Sequence, residues 1–268
     1  MRKIAIINQK GGVGKTTTAV NLAAALAATG QRVAVIDLDP QAHASLHLGL
    51  PPENDGGSVY DVMTGDARLA DVRRQVQDSL WLVGSHIDLA AAEVELAGVV
   101  GRELILRDKL AEDDERFDYL FIDCPPSLGI LTLNALAAVD EVFIPLQPHF
   151  LALHGLSKLL ETIDLVGRRL NPRLRLSGVV LCMFDGSTRL ASEVCHDVEQ
   201  FFEQCRAGRT CWSDAQPFQT RIRRNVRLAE APSFGKSIFD YAPGSNGADD
   251  YRQLAQEVLQ LAPAVATP

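Results

Sequence analysis

No stretch of this 268-residue chain approaches the roughly 18–20 consecutive apolar residues that cross a bilayer, so no membrane span is expected. Positive charge is not in excess. Lys and Arg number 26 against 34 Asp and Glu, for a net charge of −8 and a pI of about 5.3. General polyanion binding is therefore not expected, and any contact with nucleic acid has to come from a local basic patch. Cysteine is sparse: Cys124, Cys182, Cys195, Cys205 and Cys211 make an odd number with no C-x-x-C pair. They read as reduced cytosolic thiols and not as a disulfide framework. The spacing of Cys195-His196, Cys205 and Cys211 does not fit a zinc site. No internal repeat and no recognition-helix motif is visible. Met1-Arg2-Lys3 runs straight into a strand-like segment, so no secretion signal is expected.

What is there fits one globular unit. Hydrophobic residues make up 47% and charged residues 22%, and a chain of this length can bury a large core. Strand-length apolar runs at 3–8, 32–38, 80–83, 118–123, 141–146 and 177–183 alternate with helical stretches at 15–29, 128–139, 154–170, 191–204 and 249–261. Several of the strands are apolar on both faces, as in a parallel sheet covered by helices. The expectation is an α/β fold: a single doubly wound, mostly parallel sheet flanked by helices, spanning residues 1–262, with 263–268 as a frayed tail. Turn-rich segments at 51–58 and 241–247 read as loops within it.

The strongest chemical signal is Gln9-Lys10-Gly11-Gly12-Val13-Gly14-Lys15-Thr16-Thr17, set between a strand and a helix. Glycines let the backbone wrap a phosphate chain with its N–H groups inward, and the helix N-terminus adds favourable dipole charge. Gly11, Gly12, Val13, Gly14, Lys15, Thr16 and Thr17 are the expected ATP phosphate ligands. Lys15 would reach the β- and γ-phosphates, and the Thr16 hydroxyl would ligate Mg²⁺. Two acidic strand ends follow, VIDLDPQ with Asp37 and Asp39, and FIDCPPS with Asp123.

The loop departs from the standard phosphate-binding form: Gln9 stands where the first glycine belongs, and Lys10 is an extra lysine. KGGVGKTT resembles the deviant Walker A loop of the ParA/MinD superfamily of P-loop NTPases, in which the extra lysine crosses an ATP-sandwich homodimer to the partner's nucleotide. Thr220–Gly235 (TRIRRNVRLAEAPSFG), DCPPSLGIL with Asn134-Ala135-Leu136, PLQPHFLALHGL and GADDYRQLAQEV are similar to segments of the ParA/Soj branch. The resemblance covers nearly the whole chain. It implies that Lys10, Lys15 and Asp39 are catalytic, with Asp39 orienting the attacking water. It implies that Thr16 and Asp123 hold Mg²⁺ with support from Asp37, and that Arg223 and Asn225 lie at the base. Arg223 stands where the family has proline, Ser187 where it has a DNA-contacting arginine, and His149 and His154 where it has acidic residues.

Arg221, Arg223, Arg224 and Arg227 fall within seven residues of an acidic chain. Arg189, Arg221, Arg224 and Arg227 are the candidate contacts to non-specific double-stranded DNA; the alternative is that they pair with Glu230 and neighbouring acids. Arg168, Arg169, Arg173 and Arg175 form a weaker basic stretch. The resemblance further implies a cytoplasmic, nucleoid-associated ATPase. Its slow hydrolysis would be stimulated by a ParB-like partner, and it would serve chromosome or plasmid segregation. Two variants stay open: an orphan relative that positions another cargo, and a MinD-like membrane-associated ATPase. Against the membrane variant, the segment 249–261 has an apolar stripe (Leu254, Val258, Leu261) but net negative charge, so an anionic bilayer would repel it. An iron–sulfur reductase needs an earlier cysteine than Cys124, and an amidoligase needs an acceptor site that no motif supplies.

Overall fold

Alternation along the strands sorts the core into two halves. Ile4 and Ile6, Val33 and Val35, and Phe121 share one side of the sheet. Ala5, Ala34, Ile36, Leu120 and Ile122 share the other. Both sides are apolar because helices cover both. The Lys15–Ala27 helix, which opens after the glycine loop, and the C-terminal helix Asn246–Gln260 bury Leu22, Leu26, Tyr251, Leu254 and Val258 on the first side. Helices Ile130–Ala138, Ala152–Arg169 and Arg189–Cys205 bury Leu136, Ile163 and Val198 on the second. The structure, a computed structural model, describes residues 1–51, 56–149, 152–205 and 210–261, and for 152–154 the backbone alone. The expected frayed tail at 263–268, part of the loop 51–58 and the side chain of His154 lie outside the described residues.

The sheet has eight strands: β1 (Arg2–Ile6), β2 (Val33–Asp37), β3 (Arg73–Gln77), β4 (Leu80–Val83), β5 (Tyr119–Asp123), β6 (Glu141–Leu146), β7 (Arg175–Phe184) and β8 (Pro217–Arg223), in the order β3-β4-β2-β5-β1-β6-β7-β8. Every neighbouring pair is parallel except β3–β4. The expected doubly wound, mostly parallel sheet is therefore present. The two strands absent from the sequence reading are the two edges, β3 (RRQVQ) and β8 (PFQTRIR). An edge strand is covered less than a central one, so it carries polar residues and lacks the apolar run that identifies its neighbours.

The β8 edge is closed by side chains. The Glu257 carboxylate accepts the N–H groups of Gln219 (2.7 Å) and Thr220 (3.0 Å), and Asp250 accepts that of Arg223 (2.9 Å). The acids of the C-terminal helix thus satisfy the open edge, while Leu254 and Val258 are fully buried beneath them. The apolar stripe of this helix belongs to the core. Among the described residues no helix is long and apolar enough to cross a membrane.

Candidate functional site

In a parallel α/β sheet the loops at the carboxyl ends of the strands form the binding crevice. Register places Ile6 opposite Asp123 and Asp37 opposite Asp123, so the ends of β1, β5 and β2 deliver the glycine loop and both acidic segments to one place. Gly12 and Gly14 adopt left-handed backbones (φ 71° and 95°), which a side chain would strain, and Gly14 caps the following helix. The helix is almost wholly buried. Asn21 fixes it from inside, donating to the Thr17 carbonyl (2.8 Å) and accepting the Ile238 N–H (2.8 Å).

Lys15 is buried to 7% exposure, and its ammonium donates to the Lys10 carbonyl (3.3 Å). Burial lowers its pKa, while Asp123 and Asp39 pull the other way. The Thr16 hydroxyl donates to Asp123 Oδ2 (2.7 Å). Asp123 Oδ1 is buried with no hydrogen-bond partner among the described residues. An ionised carboxylate oxygen left bare in the core is unfavourable, and its pKa is pushed well up, by burial first and by the charge of Asp37 second. A divalent cation beside Thr16 and Asp123 would supply the missing partner, so these residues fit Mg²⁺.

Asp37 is equally buried, but its oxygens are committed. Oδ2 accepts the N–H (2.8 Å) and hydroxyl (2.7 Å) of Ser45, and Oδ1 accepts the Asp39 N–H (3.2 Å). Burial pushes its pKa up to about 6 against the lowering effect of those bonds. Asp37 thereby anchors the loop that presents Asp39 and stands next to Asp123 as a second charge. Asp39 accepts the Gln41 N–H (3.0 Å) and faces the cavity. Ala42, three residues on, holds a left-handed backbone (φ 53°), a strained conformation for a residue with a side chain.

Gly11, Gly12, Gly14, Lys15, Thr16, Thr17 and Asp39 line one cavity of about 740 Å³. Its far wall comes from β7 (Cys182, Met183), from β8 and the turn and short helix after it (Ile222, Arg223, Arg224, Asn225, Leu228) and from the C-terminal helix (Tyr251). The expected base-pocket residues Arg223 and Asn225 thus share a cavity with the phosphate loop. Both are already engaged. The Arg223 guanidinium grips Asp250 (Nε–Oδ1 3.0 Å, Nη2–Oδ1 2.6 Å), and Asn225 Oδ1 accepts the Arg227 N–H (2.8 Å) as a helix cap. The apolar part of the wall was not foreseen. Met183, the other non-glycine residue with positive φ among the described residues (52°), and Cys182 lie near the end of β7. Tyr251 bonds Thr18 (3.2 Å) behind the loop. Only the position of β7 near β1 in the sheet could have pointed to them.

The remaining candidates divide. Lys10 is exposed at the rim, its Nζ 2.6 Å from His149 Nε2. The arginines do not form one bare cationic patch. Arg221 lies near Glu199 (3.7 Å) and over the Phe184 ring, Arg227 pairs with Glu230 (2.8 Å) and Arg189 with Glu193 (2.7 Å). Arg224 alone of the four DNA candidates forms no ion pair among the described residues, although its charge helps to lower the Asp185 pKa after the hydrogen bonds from Ser187. Ser187 turns back onto Asp185 (2.6 Å). In the weaker stretch, Arg168 and Arg173 pair with Asp164 and Asp140.

A family model described as an AAA domain matches residues 1–176. The chain is 47% identical over 259 residues to the chromosome-partitioning ATPase Soj of Thermus thermophilus, covering 97% of this chain and 96% of the relative. It is 45% identical over 256 residues to the sporulation initiation inhibitor protein Soj of Bacillus subtilis, covering 95% and 97%. A third relative, the chromosome partitioning protein ParA of Myxococcus xanthus, is 45% identical over 260 residues, covering 97% and 88%. Among solved structures, one described as cobyrinic acid a,c-diamide synthase from Mycobacterium smegmatis, with a bound ATP analogue and magnesium, superposes with a TM-score of 0.79. It is 35% identical and covers 97% of this chain and 95% of that one. The cell division ATPase MinD of Pyrococcus furiosus gives 0.78 at 25% identity, covering 97% and 99%. The glycine loop, the two acidic strand ends and similarity along nearly the full length agree, and the chain belongs to the ParA/Soj family of chromosome-partitioning ATPases.

Proposed function

We propose that this protein is an ATP-switched DNA-binding ATPase. ATP with Mg²⁺ closes two copies into a sandwich dimer that grips double-stranded DNA without sequence preference. Slow hydrolysis, stimulated by a ParB-like partner, releases it and drives chromosome or plasmid segregation on the nucleoid. The observation that carries this reading is the division of labour between the two loop lysines. Lys15 is buried inside the site of its own chain, whereas Lys10 stands exposed at the rim and bonds outward to His149. A phosphate loop with no arginine finger of its own needs a second cation as charge leaves with the γ-phosphate. Lys10 is placed to give that cation to a partner copy.

Each residue then has one task. Gly11 to Thr17 cradle the phosphates, Lys15 neutralises the β- and γ-phosphoryl oxygens, and Asp39 orients the attacking water. Thr16 and Asp123 would hold Mg²⁺, which when bound would supply charge neutralisation for the phosphates. Asp37 keeps the Asp39 loop in place through Ser45 and the Asp39 N–H. The Cys182, Met183, Leu228 and Tyr251 wall receives the base, and Asn225 Nδ2 remains to donate to it.

The test is sedimentation with ATP and Mg²⁺. Asp39→Ala is expected to accumulate as an ATP-bound dimer, because it closes but does not hydrolyse. Lys10→Ala is expected to lose hydrolysis while still binding nucleotide. A monomeric Asp39→Ala protein in saturating ATP, or normal turnover by Lys10→Ala, overturns the reading.

The solved structure described as a diamide synthase brings a second reading, ATP-dependent amidation. Its identity to this chain (35%) is below that of the ParA and Soj relatives (45–47%). ATP turnover that needs a corrinoid acid and an amide donor would favour it.

A further inference from the structure

A phosphate loop does not read the base. ATP and GTP carry the same ribose and triphosphate, so Gly11 to Thr17 treat them alike. Selection falls to the groups that meet the base edge. Adenine presents there a ring nitrogen acceptor, N7, beside an amine donor, N6, whereas guanine presents two acceptors, N7 and O6. A site that selects adenine needs an acceptor against N6, because a buried polar group left unmatched is what rejects the wrong substrate.

Sheet order separates acceptors from donors in this cavity. The phosphate loop follows β1, with β2 on one side of it and β7 and β8 on the other. Asp39, Gln41 and His43, which carry side-chain acceptors, line the cavity from the β2 side, where the charge of Asp39 acts on Lys15. Arg223, Arg224 and Asn225 line it from the β8 side, and they offer donors only. Asn225 Oδ1, the one side-chain acceptor among these three, is committed to the Arg227 N–H (2.8 Å), which leaves Nδ2 unbonded among the described residues. Arg223 gives Nε and Nη2 to Asp250, and its Nη1 bonds nothing among the described residues. Asp250 is 3% exposed, so it fixes the guanidinium fork with that third nitrogen free. The Tyr251 hydroxyl is shared with Thr18 behind the loop (3.2 Å). A guanidinium keeps its protons at every working pH, so it never becomes an acceptor.

We infer that the base pocket takes guanine as readily as adenine, and that the protein binds GTP as well as ATP. Arg223 Nη1 and Asn225 Nδ2 donate to O6 and N7 of guanine, while N6 of adenine meets no side-chain acceptor. Arg223 and Asn225 are thus the specificity-determining residues. The inference rests on the nucleotide-binding reading above and extends its substrate class.

The experiment is calorimetric titration of the full chain with ATP and with GTP at saturating Mg²⁺. The GTP affinity of the wild type is expected to lie within about tenfold of its ATP affinity. Asn225→Asp keeps the helix cap and turns the free donor into an acceptor. It is expected to shift the affinity ratio toward ATP by about tenfold. Arg223→Lys can still pair with Asp250 but has no second arm, and it should shift the ratio in the same direction. Wild-type GTP binding more than about tenfold weaker than ATP binding overturns the inference. A ratio unchanged by both variants overturns it too. ATP binding without GTP binding leaves the ATPase reading standing, whereas a wild type that binds neither nucleotide removes that reading and this inference with it.

Discussion

Lys10 Nζ lies 2.6 Å from His149 Nε2, so the lysine that distinguishes this phosphate loop donates to a histidine beyond the end of β6. The bond needs a neutral imidazole. Burial, and second the neighbouring ammonium, lower the His149 pKa, which keeps the ring neutral in the physiological range. The ¹H–¹⁵N titration of His149 should therefore have its midpoint below that of a free histidine. Lys10→Ala should move it up without restoring the ordinary value, because burial is the larger cause. A midpoint that ignores Lys10→Ala would mean the two side chains do not meet in solution.

Lys15→Ala and Asp123→Ala should separate two roles at the phosphates. Removing a preorganised charge from a phosphoryl-transfer site typically loses on the order of a hundredfold in rate or more. Lys15→Ala is expected to do so at any Mg²⁺ concentration. Asp123→Ala is expected to raise the Mg²⁺ concentration needed for nucleotide binding, since it removes the Thr16 partner and the bare buried oxygen together. Calorimetric titration of ATP at several Mg²⁺ concentrations distinguishes the two.

His47 is fully buried with Nε2 unpaired among the described residues, and burial lowers its pKa to about 4. The unfolded chain takes up this proton near pH 6.5 and the folded chain refuses it until about 4. Stability is therefore full above the unfolded value and falls as the pH drops through that window, by about 3 kcal/mol in total. Urea titrations at pH 7 and pH 5 should show the loss in the wild type and a smaller one in His47→Gln. Equal losses would show that other groups govern acid sensitivity.

Asp250 is 3% exposed and serves both the Arg223 guanidinium and its backbone N–H. Asp250→Ala leaves a strand-edge donor unsatisfied and should destabilise the protein by about 1–3 kcal/mol. Because β8 walls the cavity, nucleotide affinity should fall with it. Arg223→Pro, which installs the family residue, also removes that N–H. It should be tolerated only when combined with Asp250→Asn or Asp250→Ala. Thermal melts of the single and double variants check this.

The phosphate site was legible because its chemistry needs fixed spacing. Gly11 to Thr17 must follow a strand and open a helix, and Asp123 must end, and Asp39 closely follow, strands that the parallel register brings to the same end of the sheet as β1. The central strands were legible for a related reason, since burial on both faces writes a continuous apolar run. The edges β3 and β8 were not legible, because half-covered strands keep polar residues such as Arg73 and Gln77. Pairing across the fold was equally hidden. Nothing local shows that Arg223 meets Asp250, that Arg221 lies over Phe184 or that Asn225 spends its carbonyl on a helix cap. The four arginines therefore counted as one cluster in the sequence, whereas in the fold Arg221, Arg223 and Arg227 each take a separate partner and Arg224 forms no ion pair among the described residues.

Those partners shape the DNA prediction. Exposed ion pairs such as Arg227–Glu230 hold weakly and can exchange for phosphates, whereas Arg224 needs no such exchange. Arg224→Ala should weaken duplex binding for every sequence and reduce the salt slope by about 0.9. Arg189→Ala should change it less.

The most direct test of the ATP-switched grip on DNA is binding to a labelled random duplex with ATP, ADP or no nucleotide across a salt series, for the wild type and Asp39→Ala. The account predicts tight, salt-sensitive binding only with ATP, strongest for Asp39→Ala. No binding at low salt, even for Asp39→Ala in saturating ATP, would contradict it.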